Sequence, residues 1–293
     1  MLFAFETAGA GYPLGMFPPV LILISTLLSP PGPFGSDEKP APVRSFAALF
    51  EEAAASDGDE QLEQLFRSRP YEVVYLVDDN LLVYVESNGA DTLRLEQMRR
   101  AARVADRVFE EDVFSRQTRA LGTLEEPRRA RFLRGRQSLQ AGREAQRQQH
   151  YAEAGKAYEE ALAAAHEVGD LLGVARAEQA LADLAVGGRR IDEGLDRHRR
   201  ARDQLGRFRH PGELRSCRAL ALLHERRGEF GKARENLERM LEVAARSNRT
   251  IDTSPVREAL ARVCQAMGDR EGAKRYALPE GPPDEPDEPP DED

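Results

Sequence analysis

In the C-terminal half of the chain, small and apolar residues fall on a helical stripe that returns at a nearly fixed interval. A small residue recurs in YAEAGKAYEEAL around Ala154, RIDEGLDRHRRA around Gly194, EFGKARENLERML around Ala233 and REGAKRYA around Ala273. Gly194 follows Ala154 by 40 positions, Ala233 follows Gly194 by 39, and Ala273 follows Ala233 by 40. Ahead of each anchor lies a second small or apolar pair at a matching offset: Ala141 and Gly142, Leu181 and Ala182, Leu220 and Ala221, Leu260 and Ala261. Leu and Ala at i, i+3, i+4 spacing form a buried stripe, and small residues let two antiparallel helices approach closely. Gly188, Gly228 and Gly268 stand at the turn expected between the two helices, and Gln148 and Gln149 take its place in the first unit. A left-handed backbone costs glycine little there. A constant period of this kind predicts stacked two-helix units over residues 127–278.

The N-terminal half has no such period. FAALFEEAAA and EQLEQLF predict two short helices split by the turn-like Ser56, Asp57, Gly58 and Asp59. Residues 72–85 are harder, because EVVYLV and NLLVYV have the β-branched and aromatic content of a hairpin. Pro70 suits the first turn of a helix, however, and two strands alone would have no sheet to complete, so a helix is preferred. Asp91 suits an N-cap for a helix whose stripe runs from Leu93 to Val108. Residues 44–126 are thus expected to be a helical region that packs against the first repeat as a cap.

The repeat units resemble the tetratricopeptide repeat family, whose helix-turn-helix unit has a Leu-Gly pair and an aromatic in its first helix and an Ala followed by an aromatic in its second. Ala141, Gly142, Tyr151, Ala154, Tyr158 and Ala161 carry the best match, and Leu220, Ala221, Gly228, Phe230, Ala233 and Leu237 the next. The units depart from the family in lacking its tryptophan and in placing Gly194 at an anchor. The fourth unit also stops after Ala277. Their period exceeds the family's usual repeat of about 34 residues and is similar to the long-repeat variety of bacterial regulators and kinesin light chains. The resemblance implies an all-α, right-handed superhelical solenoid of antiparallel helix pairs that holds a partner peptide or domain on its concave face. An irregular helical region ahead of such an array also resembles bacterial proteins that carry a caspase-like protease domain. That domain is absent here, so an alternative is a regulatory module for a separate effector such as a protease.

Charge sharpens the expected binding face. Of 42 basic residues only four are lysines, which leaves 38 arginines. The family geometry implies that the first helix of each unit lines the groove. It would present Arg136, Arg143, Arg147, Arg176, Arg215, Arg218, Arg226 and Arg262, against Asp183, Glu225 and Glu258. The expected partner is a protein or peptide, acidic in character, bound through arginine forks that match carboxylates. Residues 279–293, PEGPPDEPDEPPDED, hold eight carboxylates and no base. They are expected to remain extended and disordered, and they offer the groove a ligand in cis. Nucleic acid is a weaker alternative. The run Arg128, Arg129, Arg131, Arg134, Arg136, Arg143, Arg147, seven cations against the single acid Glu144, could meet phosphates, yet the chain carries a net charge of −9 and has little aromatic interleaving.

No catalytic pattern emerges. The chain has no phosphate-binding loop, no G-x-S-x-G elbow and no second histidine for His166-Glu167 or His224-Glu225, so neither a metal nor a cofactor is expected. Cys217 and Cys264 are expected to pack in the core as small hydrophobes. Residues 16–28, MFPPVLILISTLL, form an apolar run too short for a span and suited to a signal core, though no basic residue precedes it. That leaves export or anchoring open beside a cytoplasmic location in which the folded protein starts near Val43. Residues 29–43 read as a Pro/Gly-rich linker.

Overall fold

A computed structural model describes residues 44–56, 58–246 and 251–277. The apolar run at 16–28, the linker at 29–43 and the acidic segment at 279–293 lie outside them. Among the described residues the protein is all-α. Its helices are α1 (Phe46–Ala54), α2 (Glu60–Ser68), α3 (Pro70–Glu86), α4 (Thr92–Phe109), α5 (Val113–Gly122), α6 (Arg128–Arg147) and α7 (Tyr151–Val168). The chain continues with α8 (Leu171–Gly187), α9 (Ile191–Arg207), α10 (Gly212–Arg226), α11 (Phe230–Arg246), α12 (Ser254–Ala266) and α13 (Arg270–Tyr276). None of these helices is long and apolar enough to cross a membrane.

Local chemistry sets most boundaries. The Ser45 hydroxyl accepts from Ala48 N at 3.2 Å to open α1, and Asp91 Oδ1 accepts from Arg94 N at 3.0 Å to open α4. Asp170 and Asp269 do the same for Gly173 N and Gly272 N, each at 2.8 Å. These side chains satisfy amides that have no partner inside their helix. Pro70 occupies the first turn of α3, so residues 72–85 are helical, and Val73, Val74, Leu76, Val77, Leu81 and Val85 bury one side of that helix. α5 has no counterpart in the sequence reading. Asp106, from the preceding helix, supplies its cap by accepting from Phe114 N and Ser115 N at 3.0 and 2.9 Å.

From α6 onward the helices pack in sequence as pairs, α6 with α7, α8 with α9, α10 with α11 and α12 with α13, each pair against the next in a solenoid-like array. Small residues sit where two helices come closest. A Cβ on Gly142 would lie 2.5 Å from the Tyr158 ring, and one on Gly194 would lie 2.6 Å from Val186 Cγ2. Gly194 therefore replaces the anchor alanine because Val186 fills the space where the other units have Gln146, Glu225 and Gln265. Tyr158 is buried, with its hydroxyl 2.7 Å from Gln146 Oε1, whereas Tyr151 is exposed. The left-handed turn residues are Gln149 (φ 63°), Arg189 (φ 63°), Gly228 (φ 71°) and Gly268 (φ 76°). Gly188 was expected to take this conformation in the second unit but has φ −82°. The repeat interval of 40 from Gln149 places the turn on the next residue, Arg189.

The N-terminal region does more than cover an end. Its core is continuous with Phe132, Val168, Leu172, Ala175, Leu205 and Phe208 of the first two pairs. α3 also extends across the face made by the first helix of successive pairs. Asp78 reaches α6 and α8, the Tyr75 ring stands 5.4 Å from the His210 ring between α9 and α10, and the Tyr71 hydroxyl donates to Val243 O of α11 at 2.6 Å. Residues 71, 75 and 78 share one face of a helix.

Candidate functional site

Three of the expected arginines occupy one repeat position. Arg176 follows Arg136 by 40 residues and Arg215 follows Arg176 by 39, so each stands at the same height on α6, α8 and α10. Their environments differ because α3 covers the first two. Asp78, only 8% exposed at its side chain, accepts from Arg136 Nη1 and Nη2 at 3.0 and 2.5 Å and from Arg176 Nη1 at 2.6 Å. Arg136 Nε also lies 3.1 Å from the buried Asp170 carboxylate. Burial alone would raise the Asp78 pKa, but the two guanidiniums outweigh it and hold the carboxyl at about 2. Arg136 and Arg176 are thus structural, a correction to their expected place on an open face. The charge tally from the repeats omitted Asp78 because this carboxylate comes from outside them.

Arg215 is 63% exposed, with Nη2 2.6 Å from Asp183 Oδ2 of α8. Asp183 in turn lies 3.6 Å from Nε2 of the buried His198 on α9. Burial pushes the Asp183 carboxyl up to about 6, with Arg215 opposing the shift. Burial and the Arg215 charge push His198 down to about 4. That imidazole is therefore neutral at neutral pH and gives the carboxylate no compensating charge.

The remaining arginines split the same way. Arg147 pairs with Glu144 on its own helix, and Arg262 Nε lies 3.0 Å from Glu225 Oε1, which joins α12 to α10. Arg143 is exposed and forms no ion pair among the described residues. Its pKa is lowered by partial burial and by the like charges of Arg176, Arg215 and Arg136. Arg215, Arg218, Leu222 and Arg226 form one exposed stripe along α10, with Leu222 43% exposed between the arginines. Spacings of three and four residues place them on one helical face. The exposed basic surface therefore comprises Arg143 of α6, the α10 stripe and Arg262 of α12, with Arg215 and Arg262 held by Asp183 and Glu225.

Other candidate chemistry is engaged internally. Arg128 Nη2 donates to Glu167 O at 2.9 Å, Arg129 Nη2 to Leu124 O at 2.8 Å, and Arg131 Nε to Glu167 Oε2 at 2.9 Å, so these three arginines brace α6 against its neighbours. Cys217 and Cys264 are buried free thiols, and burial pushes Cys217 up to about 12. His224 Nδ1 lies 2.6 Å from Glu229 Oε2.

No protein-family model matches the sequence, and comparison with curated proteins finds no match. Among solved structures the chain is similar to BtubC (BKLC) from P. vanneervenii, with 18% identity and a TM-score of 0.46 over 70% of this chain and 87% of that one.

Proposed function

We propose that the chain is a non-catalytic scaffold of the tetratricopeptide-repeat type that binds an acidic, extended protein segment on the surface formed by Arg143, the α10 stripe and Arg262. The observation that carries this reading is Arg143. It is an exposed guanidinium with no carboxylate partner among the described residues, and partial burial with the like charges of Arg176, Arg215 and Arg136 disfavours its charged form. A ligand carboxylate placed there would relieve that repulsion and could accept two parallel N–H bonds. Leu222 gives the same surface an apolar contact amid its cations.

The test is fluorescence anisotropy with labelled Asp/Glu-Pro peptides on the full chain and on an Arg143→Glu, Arg218→Glu, Arg226→Glu variant. All three residues are exposed, so the variant should remain folded. The expected result is a loss of at least tenfold in affinity, on the order of 1.4 kcal/mol or more. Equal affinity for both proteins would move the binding surface elsewhere and reject the assignment.

A further inference from the structure

We infer that the chain's own acidic segment, residues 279–293, is an occupant of the basic surface on α10 and α12 and competes there with acidic partners. This rests on the reading above that the surface takes acidic peptides. Charge complementarity is the first argument. The segment has eight carboxylates, six prolines and no base, and it follows directly on the helix pair that carries Arg262.

Spacing is the second. Asp284 and Glu285, Asp287 and Glu288, and the acids at 291–293 form three groups three to four residues apart. In a proline-rich extended chain with a rise of about 3.1 Å per residue, the groups fall roughly 10 Å apart. Arg215 to Arg226 spans 11 residues, or about 16 Å along α10 at ~1.5 Å per residue. Within it, Arg218 to Arg226 spans eight residues, or about 12 Å, so two successive acidic groups match these two guanidiniums and the intervening prolines fall near Leu222.

Reach is the third. The Glu225–Arg262 pair holds α10 and α12 side by side, and packed helices lie about 8–10 Å apart. The seven residues from Ala277 to Asp284 can span about 23–25 Å when extended, enough to pass from α13 over α12 to α10. A short tether supplies an effective concentration on the order of 1 mM, so a segment with an intrinsic Kd of about 0.1 mM would weaken an external peptide about tenfold.

The experiment compares the full chain with a full-length variant whose eight acidic residues in 279–293 are changed to Asn or Gln. A synthetic labelled peptide of the 279–293 sequence is the probe, at about 0.15 M salt, where charges more than about 8 Å apart are screened. The expected result is about tenfold tighter binding to the neutralised variant, with the gain abolished by adding Arg218→Glu and Arg226→Glu. Equal binding by wild type and the neutralised variant would overturn the inference and leave the basic surface intact. A gain that survives the arginine reversals would also overturn it, because the segment would then act elsewhere. Binding by neither protein would reject the surface itself and the inference with it.

Discussion

Asp183 is the residue at which charge, burial and ligand access meet. Arg215 of α10 holds its carboxylate at 2.6 Å, His198 of α9 stands behind it, and Arg143 of α6 and Tyr158 of α7 contribute to the same field. Burial raises its pKa from 3.8 to about 6, so ionisation works against folding. The stability carried by the protonated form is present at low pH and lost as pH rises through about 6. Protonation also frees Arg215 for an external carboxylate, while ligand Asp and Glu, with ordinary values near 4, stay mostly ionised at pH 5.5. Acidic-peptide affinity should therefore rise about two- to fivefold between pH 7.5 and pH 5.5, the range set by an exposed pair worth up to about 1 kcal/mol. Asp183→Asn should bind at the higher affinity throughout, and parallel pH profiles for the two proteins would refute this. The row Arg136, Arg176, Arg215 was legible in the sequence because it keeps the repeat interval. What each arginine binds was not, since Asp78 belongs to no repeat and its approach depends on tertiary packing.

At the scale of elements, caps and turns explain both what could be read and what could not. Ser45, Pro70, Asp91 and the period of the anchors act through neighbouring backbone, so α1, α3, α4 and the helix pairs follow from local chemistry. α5 depends on Asp106, eight residues before the Phe114 amide it caps, and half of its buried stripe, Val113, Phe114, Gln117, Thr118, Leu121 and Gly122, is polar or small, which hides it from a reading of apolar positions. The turns present a similar contrast. Two units meet the left-handed position with Gly228 and Gly268, and two force it on Gln149 and Arg189. A side chain in that conformation costs about 1–2 kcal/mol, partly offset by the greater entropy glycine has when unfolded. Gln149→Gly and Arg189→Gly should each raise stability by roughly 0.5–1 kcal/mol in urea unfolding, with effects that add because the turns are in different units. Gly188→Ala should give no comparable loss, as its φ of −82° suits any residue. A loss of stability in either turn-to-glycine variant would show that those side chains contribute more than their backbone strain costs.

Across the whole molecule, α3 changes how an array of helix pairs should behave. Stacked repeats whose units touch only their neighbours unfold nearly as a one-dimensional chain, in which a distant pair is insensitive to the first. Here α3 is bonded to α6 and α8 through Asp78 and to α11 through Tyr71, and Arg207 bridges α9 to Glu111 at 2.8 Å. Opening any of these pairs must therefore strain the same N-terminal core. Asp78→Asn leaves Arg176 with only a neutral partner there and Arg136 with Asp170 alone, and breaking a buried pair of this kind costs about 3–5 kcal/mol. Because the native Asp78 pKa is depressed from 3.8 to about 2, the stability it supplies is complete above pH 4 and lost as pH falls from about 4 towards 2. The difference in urea midpoint between wild type and Asp78→Asn should shrink over that window. Hydrogen exchange then separates a local loss from a coupled one. If α3 ties the array together, Asp78→Asn will accelerate exchange in α10 and α11 as well as in α6 and α8, although neither α10 nor α11 touches the altered carboxylate. Acceleration confined to α3, α6 and α8 would mean that the pairs open independently and that the Tyr71 bond to Val243 transmits nothing. Adding Tyr71→Phe should then release α11 further by about 1 kcal/mol if the coupling runs through that hydroxyl.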